Sequence, residues 1–117
     1  TFGGNPLVTA AAVATLETVL ELDLCANARQ VGDYIVKKFL TFKDRYPLID
    51  IRGQGLLRGL VFSVDVKPLA AKCTENGLIT ICTNDYVLRF LPPLNITKEH
   101  VDEAYQILEK SMADVGL

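Results

Sequence analysis

The sequence predicts an α+β domain: a small, mainly antiparallel sheet of four strands covered by helices. Two observations carry this prediction. Apolar residues recur at helical spacing as far as Phe42, and strand-like runs take over from Leu48. Those runs come in neighbouring pairs joined by short turns, which gives the element order α-α-β-β-α-β-β-α. A length of 117 residues, half of them hydrophobic and 22% charged, fits a single globular domain.

Each element has a local cause. Residues 1–5, Thr-Phe-Gly-Gly-Asn, read as a loop, and Asn5-Pro6 starts a helix with Asn at the N-cap and Pro at the first helical position. That helix runs to about Glu21 and is rich in alanine. Leu7, Ala10, Ala11, Ala14 and Thr18 form one stripe, and Val13, Leu16 and Leu20 add a second apolar side, so wide burial is expected. Asp23 caps a second helix, on which Leu24, Ala28, Val31, Ile35, Phe39 and Phe42 follow spacings of three and four. Lys37, Lys38, Lys43 and Arg45 sit towards its C-terminal end, where the dipole favours cations, and Tyr46-Pro47 ends it. Leu48 to Arg52 and Leu56 to Val64 read as strands around the tight reversal Gly53-Gln54-Gly55. Pro68 opens a short helix that Gly77 stops. Leu78 to Cys82 and Tyr86 to Phe90 are strands joined by Asn84-Asp85, and Pro92-Pro93 breaks pairing. Thr97 caps a last helix whose buried face is Val101, Ala104, Leu108, Met112 and Val115.

Composition excludes several functions. The net charge is −2 and the pI near 5.3, so there is no basic footprint for nucleic acid. No apolar run reaches the roughly 18 residues of a membrane-spanning helix, and no N-terminal signal pattern appears. Cys25, Cys73 and Cys82 are odd in number and widely spaced, as expected of reduced thiols in a cytoplasmic protein. No metal-ligand spacing appears. His100, the only histidine, reads as a solvated residue in the first turn of the last helix. No catalytic constellation is visible, so no catalytic residue is assigned. The sequence begins with Thr1 in a glycine-rich stretch, which is expected of a fragment.

Three segments carry more information. In Thr1-Phe2-Gly3-Gly4-Asn5-Pro6, two glycines and a capped helix can bring backbone N–H groups and a hydroxyl to an anion such as phosphate, although a flexible loop explains them as well. Arg52-Gly53-Gln54-Gly55-Leu56 lacks the following helix that a dinucleotide site needs, and reads as a turn requiring positive φ. Arg52 and Arg58 read as surface cations or as partners of Asp50 and Asp65. In Leu88-Arg89-Phe90-Leu91-Pro92-Pro93-Leu94, alternation turns Arg89 away from Leu88 and Phe90. A cation so placed either snorkels to water or grips a carboxylate through its planar fork.

Taken together, Thr-Phe-Gly-Gly-Asn-Pro at 1–6, Arg-Gly-Gln-Gly-Leu-Leu at 52–57 and Leu-Arg-Phe-Leu-Pro-Pro-Leu at 88–94 resemble the C-terminal part of class III pyridoxal-phosphate-dependent aminotransferases. The similarity is greatest to acetylornithine and ornithine aminotransferases. The resemblance implies the C-terminal domain of a fold type I transferase, with residues 1–22 as a loop and interface helix joining a large domain and residues 23–117 as the small domain. It implies that Thr1 contacts the cofactor phosphate of the other subunit of a homodimer, and that Arg89 grips the carboxylate of an amino-acid or 2-oxoglutarate substrate. Phe2, Gly3 and Gly4 would shape the loop at that interface. Arg58 stands where relatives often carry an aliphatic residue and takes no role.

The lysine that holds pyridoxal phosphate covalently belongs, by this resemblance, to the large domain. The seven lysines here all follow the first motif, so the chain alone is expected neither to bind the cofactor covalently nor to transaminate. The alternatives are a different ω-amino substrate, such as ornithine or 4-aminobutyrate, or a non-catalytic α+β interaction module.

Overall fold

The computed structural model describes residues 1–117. Four α-helices and four strands occur in the predicted order: α1 (Pro6–Glu21), α2 (Leu24–Phe39), β1 (Leu48–Gln54), β2 (Leu57–Phe62), α3 (Lys67–Glu75), β3 (Ile81–Thr83), β4 (Val87–Phe90) and α4 (Lys98–Asp114). The strands form one sheet in the order β1-β2-β4-β3, every pair antiparallel. The turn residues act as the sequence implies. Gly77 has φ +96° and closes α3, while Asn84 and Asp85 both have positive φ and reverse the chain between β3 and β4.

The sheet buries one face. Leu60 and Phe62 of β2 and Leu88 and Phe90 of β4 pack against Val31, Ile35 and Phe39 of α2, Leu69 and Cys73 of α3, and Val101, Leu108 and Met112 of α4. The Phe39 ring meets Phe90 edge-on, with centroids 5.5 Å apart. Burial holds the Cys73 thiol above its ordinary pKa, as expected of a small core residue.

Polar side chains join α2 to α4 beside this core. The Tyr34 hydroxyl donates to Asp102 at 2.6 Å, and Lys38 pairs with the same carboxylate. Arg45 donates to the Tyr105 hydroxyl at 2.9 Å and pairs with Glu109. His100 finishes the N-terminus of α4: its Nδ1 accepts from the Thr97 backbone N–H at 3.1 Å, so the ring caps a helix.

Several expectations need correction. Helix α2 ends at Phe39, and Leu40–Asp44 tighten into a 3₁₀ turn that drives Phe42 into the core beside Phe39. The third strand begins at Ile81 rather than Leu78, because the Leu78 N–H is taken by the Cys73 carbonyl at the end of α3. The second strand is confined to Leu57–Phe62. Arg58 is neither a surface cation nor a partner of Asp65: it is buried and faces Asp33. Helix α1, whose wide apolar surface reads as that of a helix packed against a neighbouring layer, buries none of its residues within this chain. Leu7 and Leu20 are about four-fifths exposed. The helix touches the body mainly through α2, and nothing else in the chain covers its apolar sides. Its projection raises the radius of gyration to 16.5 Å, against about 13 Å for a compact chain of this length.

Close backbone approach locks the β1–β2 turn onto α2. A Cβ on Gly32 would lie 2.1 Å from the Gly55 carbonyl oxygen. Gly32→Ala is therefore expected to cost about 3 kcal/mol of stability, or to abolish folding, in a denaturant titration; a loss below about 0.5 kcal/mol would show that the contact relaxes freely.

The α2–α4 seam gives a pH prediction. The Asp102 carboxyl is held below its ordinary value of 3.8, chiefly by the bond from Lys38 and then by that from Tyr34. A depressed carboxylate stabilises the fold above its unfolded pKa and loses that contribution as pH falls through the folded one. Asp102→Asn should lower the melting temperature at neutral pH and flatten its decline below about pH 4. A parallel decline in both proteins would remove the pair from acid unfolding.

Candidate functional site

The outer face of the sheet carries Arg52, Asp50 and Arg89. Directly paired residues lie on the same face, so Arg52, Gly59, Arg89 and Ile81 form one row across β1, β2, β4 and β3. Asp50, Val61, Val87 and Thr83 form the next row. No helix supplies core to this side, and Ile81 stays about half exposed.

Arg89 is placed there by its neighbours. Leu88 and Phe90 are buried on the helical side, and strand alternation turns Arg89 to the other. It is half-buried, and its Nε lies out of solvent contact without a hydrogen-bond partner. A guanidinium in that state retains capacity for an anion, and its planar fork matches a carboxylate. Gly59 beside it leaves the row bare: a Cβ there would meet the Val87 side chain at 3.1 Å. One strand further, Arg52 donates to Asp50 at 3.0 Å, and that bond holds the Asp50 carboxyl below its ordinary range. Arg52 thus has a local counter-charge, whereas no salt bridge engages Arg89.

The segment after Arg89 is fixed by Asn27, whose amide donates to the Leu94 carbonyl at 2.7 Å and the Ile96 carbonyl at 3.0 Å. Neither contact is legible in the sequence, because they join positions nearly 70 residues apart. Beneath Pro92-Pro93 lies a largely apolar cavity of about 340 Å³ between α2 and α4, with His100 among its lining residues.

Thr1 precedes the exposed helix α1. Every residue from Thr1 to Thr18 is exposed, and α1, about 24 Å long, separates Thr1 from the body. The structure therefore does not bring Thr1 to Arg89. In the loop Gly4 has φ +77°, the surroundings of Gly3 and Gly4 are open, and the Val8 N–H donates to the Asn5 side chain that caps α1.

The lysines lie elsewhere. Lys38, Lys67 and Lys72 are paired with Asp102, Asp85 and Glu75, Lys110 donates to Asn76, and Lys98 sits over the Tyr34 ring. Lys37 and Lys43 are exposed. No helix is long and apolar enough to cross a membrane.

Comparison with known proteins places this one-sided antiparallel sheet in a family. The aminotransferase class-III family matches residues 1–112. The acetylornithine aminotransferase of Clostridium acetobutylicum is 40% identical over 114 residues, covering 96% of this chain and 30% of the relative. The ornithine aminotransferase of Staphylococcus carnosus is 37% identical over 110 residues, covering 94% of this chain and 28% of the relative. The crystal structure of acetylornithine aminotransferase from Elizabethkingia anophelis superposes with a TM-score of 0.88 at 30% identity, over 97% of this chain and 31% of that one. The chain belongs to the aminotransferase class-III family. It spans about 30% of the length of the curated relatives it matches.

Proposed function

We propose that the chain is the small C-terminal domain of a pyridoxal-phosphate-dependent aminotransferase acting on N-acetylornithine. The parent reaction would convert N-acetylornithine and 2-oxoglutarate to N-acetylglutamate semialdehyde and glutamate, a step of arginine biosynthesis, in the cytoplasm. Residues 1–22 join this domain to the large domain, and residues 23–117 form the small domain. The observation that carries the reading is Arg89: a half-buried guanidinium on the open sheet face, with no acidic partner, in a chain of this family. Family membership favours the enzyme over a non-catalytic module. Ornithine is the second substrate reading, favoured by relatives of that name at 37% identity.

The chain's residues have separate tasks. The Arg89 fork receives a substrate carboxylate through two parallel N–H···O bonds, which fixes the molecule's direction in the site. Apolar Leu88 and Phe90 hold its strand against the helices, so the arginine is positioned before substrate arrives. Thr1, carried outward by α1, donates its hydroxyl to a phosphate oxygen held by the partner subunit of a homodimer, and Gly3-Gly4 allow backbone to approach it. Pyridoxal phosphate, when bound, supplies the electron sink for moving the amino group. The lysine that holds it comes from the large domain.

In the full-length parent, Arg89→Ala is expected to lower kcat/KM for 2-oxoglutarate about 100-fold, the loss of two charge-assisted hydrogen bonds. Turnover between an amine donor and an aldehyde acceptor that both lack a carboxylate should change little. Equal kinetics for 2-oxoglutarate in wild type and variant would remove Arg89 from substrate binding. Incubating the 117-residue chain with pyridoxal phosphate and reducing it should leave no stoichiometric adduct at any single lysine; such an adduct, found by mass spectrometry, would overturn the division of labour between the domains.

A further inference from the structure

We propose that Arg58 is a positioning residue for Arg89, acting through the glycine-rich start of β2. The proposal rests on the carboxylate-binding role of Arg89 given above. Arg58 faces the helices with Leu60 and Phe62, and only 9% of it is exposed. A buried guanidinium is costly unless its donors are satisfied. Here satisfaction is partial and directional. Nη1 donates to the Gly53 carbonyl at 2.7 Å, Nη2 lies 3.6 Å from Asp33 on α2, and Nε has no partner. Asp33 is itself largely exposed, so the pair is a weak counter-charge for a buried cation.

What this side chain joins explains its presence. Gly53 and Arg58 are cross-strand partners at the closing end of the β1–β2 hairpin, and the guanidinium returns to the carbonyl of its own partner. The closing segment contains Gly53 at φ +113° and Gly55 at φ +54°, and Gly59 follows inside β2. Glycines in a strand or turn lose the most conformational freedom on folding and pack no side chain, so beyond the Gly32–Gly55 approach this stretch depends on contacts from neighbouring side chains. Arg58 ties it to β1 through the Gly53 carbonyl and lies within ion-pair distance of Asp33 on α2. Gly59, the next residue, is the direct cross-strand partner of Arg89, and Arg58 itself opposes Phe90. The strand flanking Arg89 is thus anchored by a side chain on the opposite face of the sheet. An aliphatic residue at position 58 would bury as much surface but would tie neither Gly53 nor α2.

The test compares Arg58→Leu and Arg58→Lys in the full-length holoenzyme, with Arg89→Ala beside them. Arg58→Leu is expected to raise KM for 2-oxoglutarate about fivefold while leaving kcat within about twofold, since a small misplacement of a binding group weakens its contact. KM for an acceptor aldehyde without a carboxylate should stay unchanged. Arg58→Lys, which keeps the charge but cannot reach two partners at once, should fall between Leu and wild type. If the Leu variant does not fold, the Lys variant alone must still show the acceptor-selective rise in KM. A lowered melting temperature with both KM values unchanged would reduce Arg58 to a structural residue and overturn the proposal. An Arg89→Ala variant with normal kinetics would instead overturn the role of Arg89, and the two failures are distinguished by which variant gives them.

Discussion

Burial of Leu88 and Phe90 is the constraint on which the site depends. Both side chains pack among α2, α3 and α4 on one face of β4. In a strand, fixing residues 88 and 90 on that face fixes residue 89 on the other. A one-residue slip of β4 would bring the guanidinium into a core lined by Phe39, Leu60 and Val101, at the cost of burying an unpaired charge. Register and arginine direction are thus one property, enforced by apolar packing. The proline pair after Leu91 and the Asn27 clamp on Leu94 and Ile96 keep the strand from continuing, so Arg89 stands near its end.

The same logic run in reverse describes α1. Its sequence is that of a widely buried helix, yet the chain buries none of it. Exposed Leu7, Val13, Leu16 and Leu20 form more apolar surface than an isolated helix keeps in water. The relatives are more than three times as long as this chain, and on the proposed reading the surface that covers α1 belongs to polypeptide outside these residues. On the proposed reading this is also why Thr1 and Arg89 lie far apart in one chain. A hydroxyl that serves the neighbouring subunit's phosphate has to project away from its own domain's sheet.

Local chemistry made much of this legible. Asn5-Pro6, Asp23, Gly77, Asn84-Asp85 and Thr97 each fix a boundary by satisfying a backbone group or by adopting a φ that other residues resist, and these boundaries lie where the sequence puts them. Alternation alone turned Arg89 outward. The misses share one cause, which is competition from contacts that exist only once the elements have folded against one another. Leu78 has strand propensity, but its N–H is used to close α3. The period of α2 continues to Phe42, but the core draws Phe42 inward through a 3₁₀ turn. A lone arginine in a β-run gives no sign that its stem will be buried, because the acceptor at Gly53 exists only once the hairpin has closed. Gly32 looks like a weak point in a helix until Gly55 is set against it.

The residues on this chain also bear on where substrate choice is made. Acetylornithine and ornithine aminotransferases are similar to it to nearly the same degree, 40% and 37% over almost all its length. A guanidinium fork recognises a carboxylate, and N-acetylornithine, ornithine and 2-oxoglutarate all carry one. What separates the two donors is an acetyl group on one amine, an uncharged amide in place of a cation. Telling these apart requires a carboxylate or an amide-sized pocket facing that amine, and Arg89 supplies neither. On the proposed reading, the small domain contributes the recognition common to the whole set of substrates. A change of donor then leaves its sheet, its arginine and its packing untouched, which is the pattern expected if near-equal resemblance to both kinds of enzyme reflects a shared physical task.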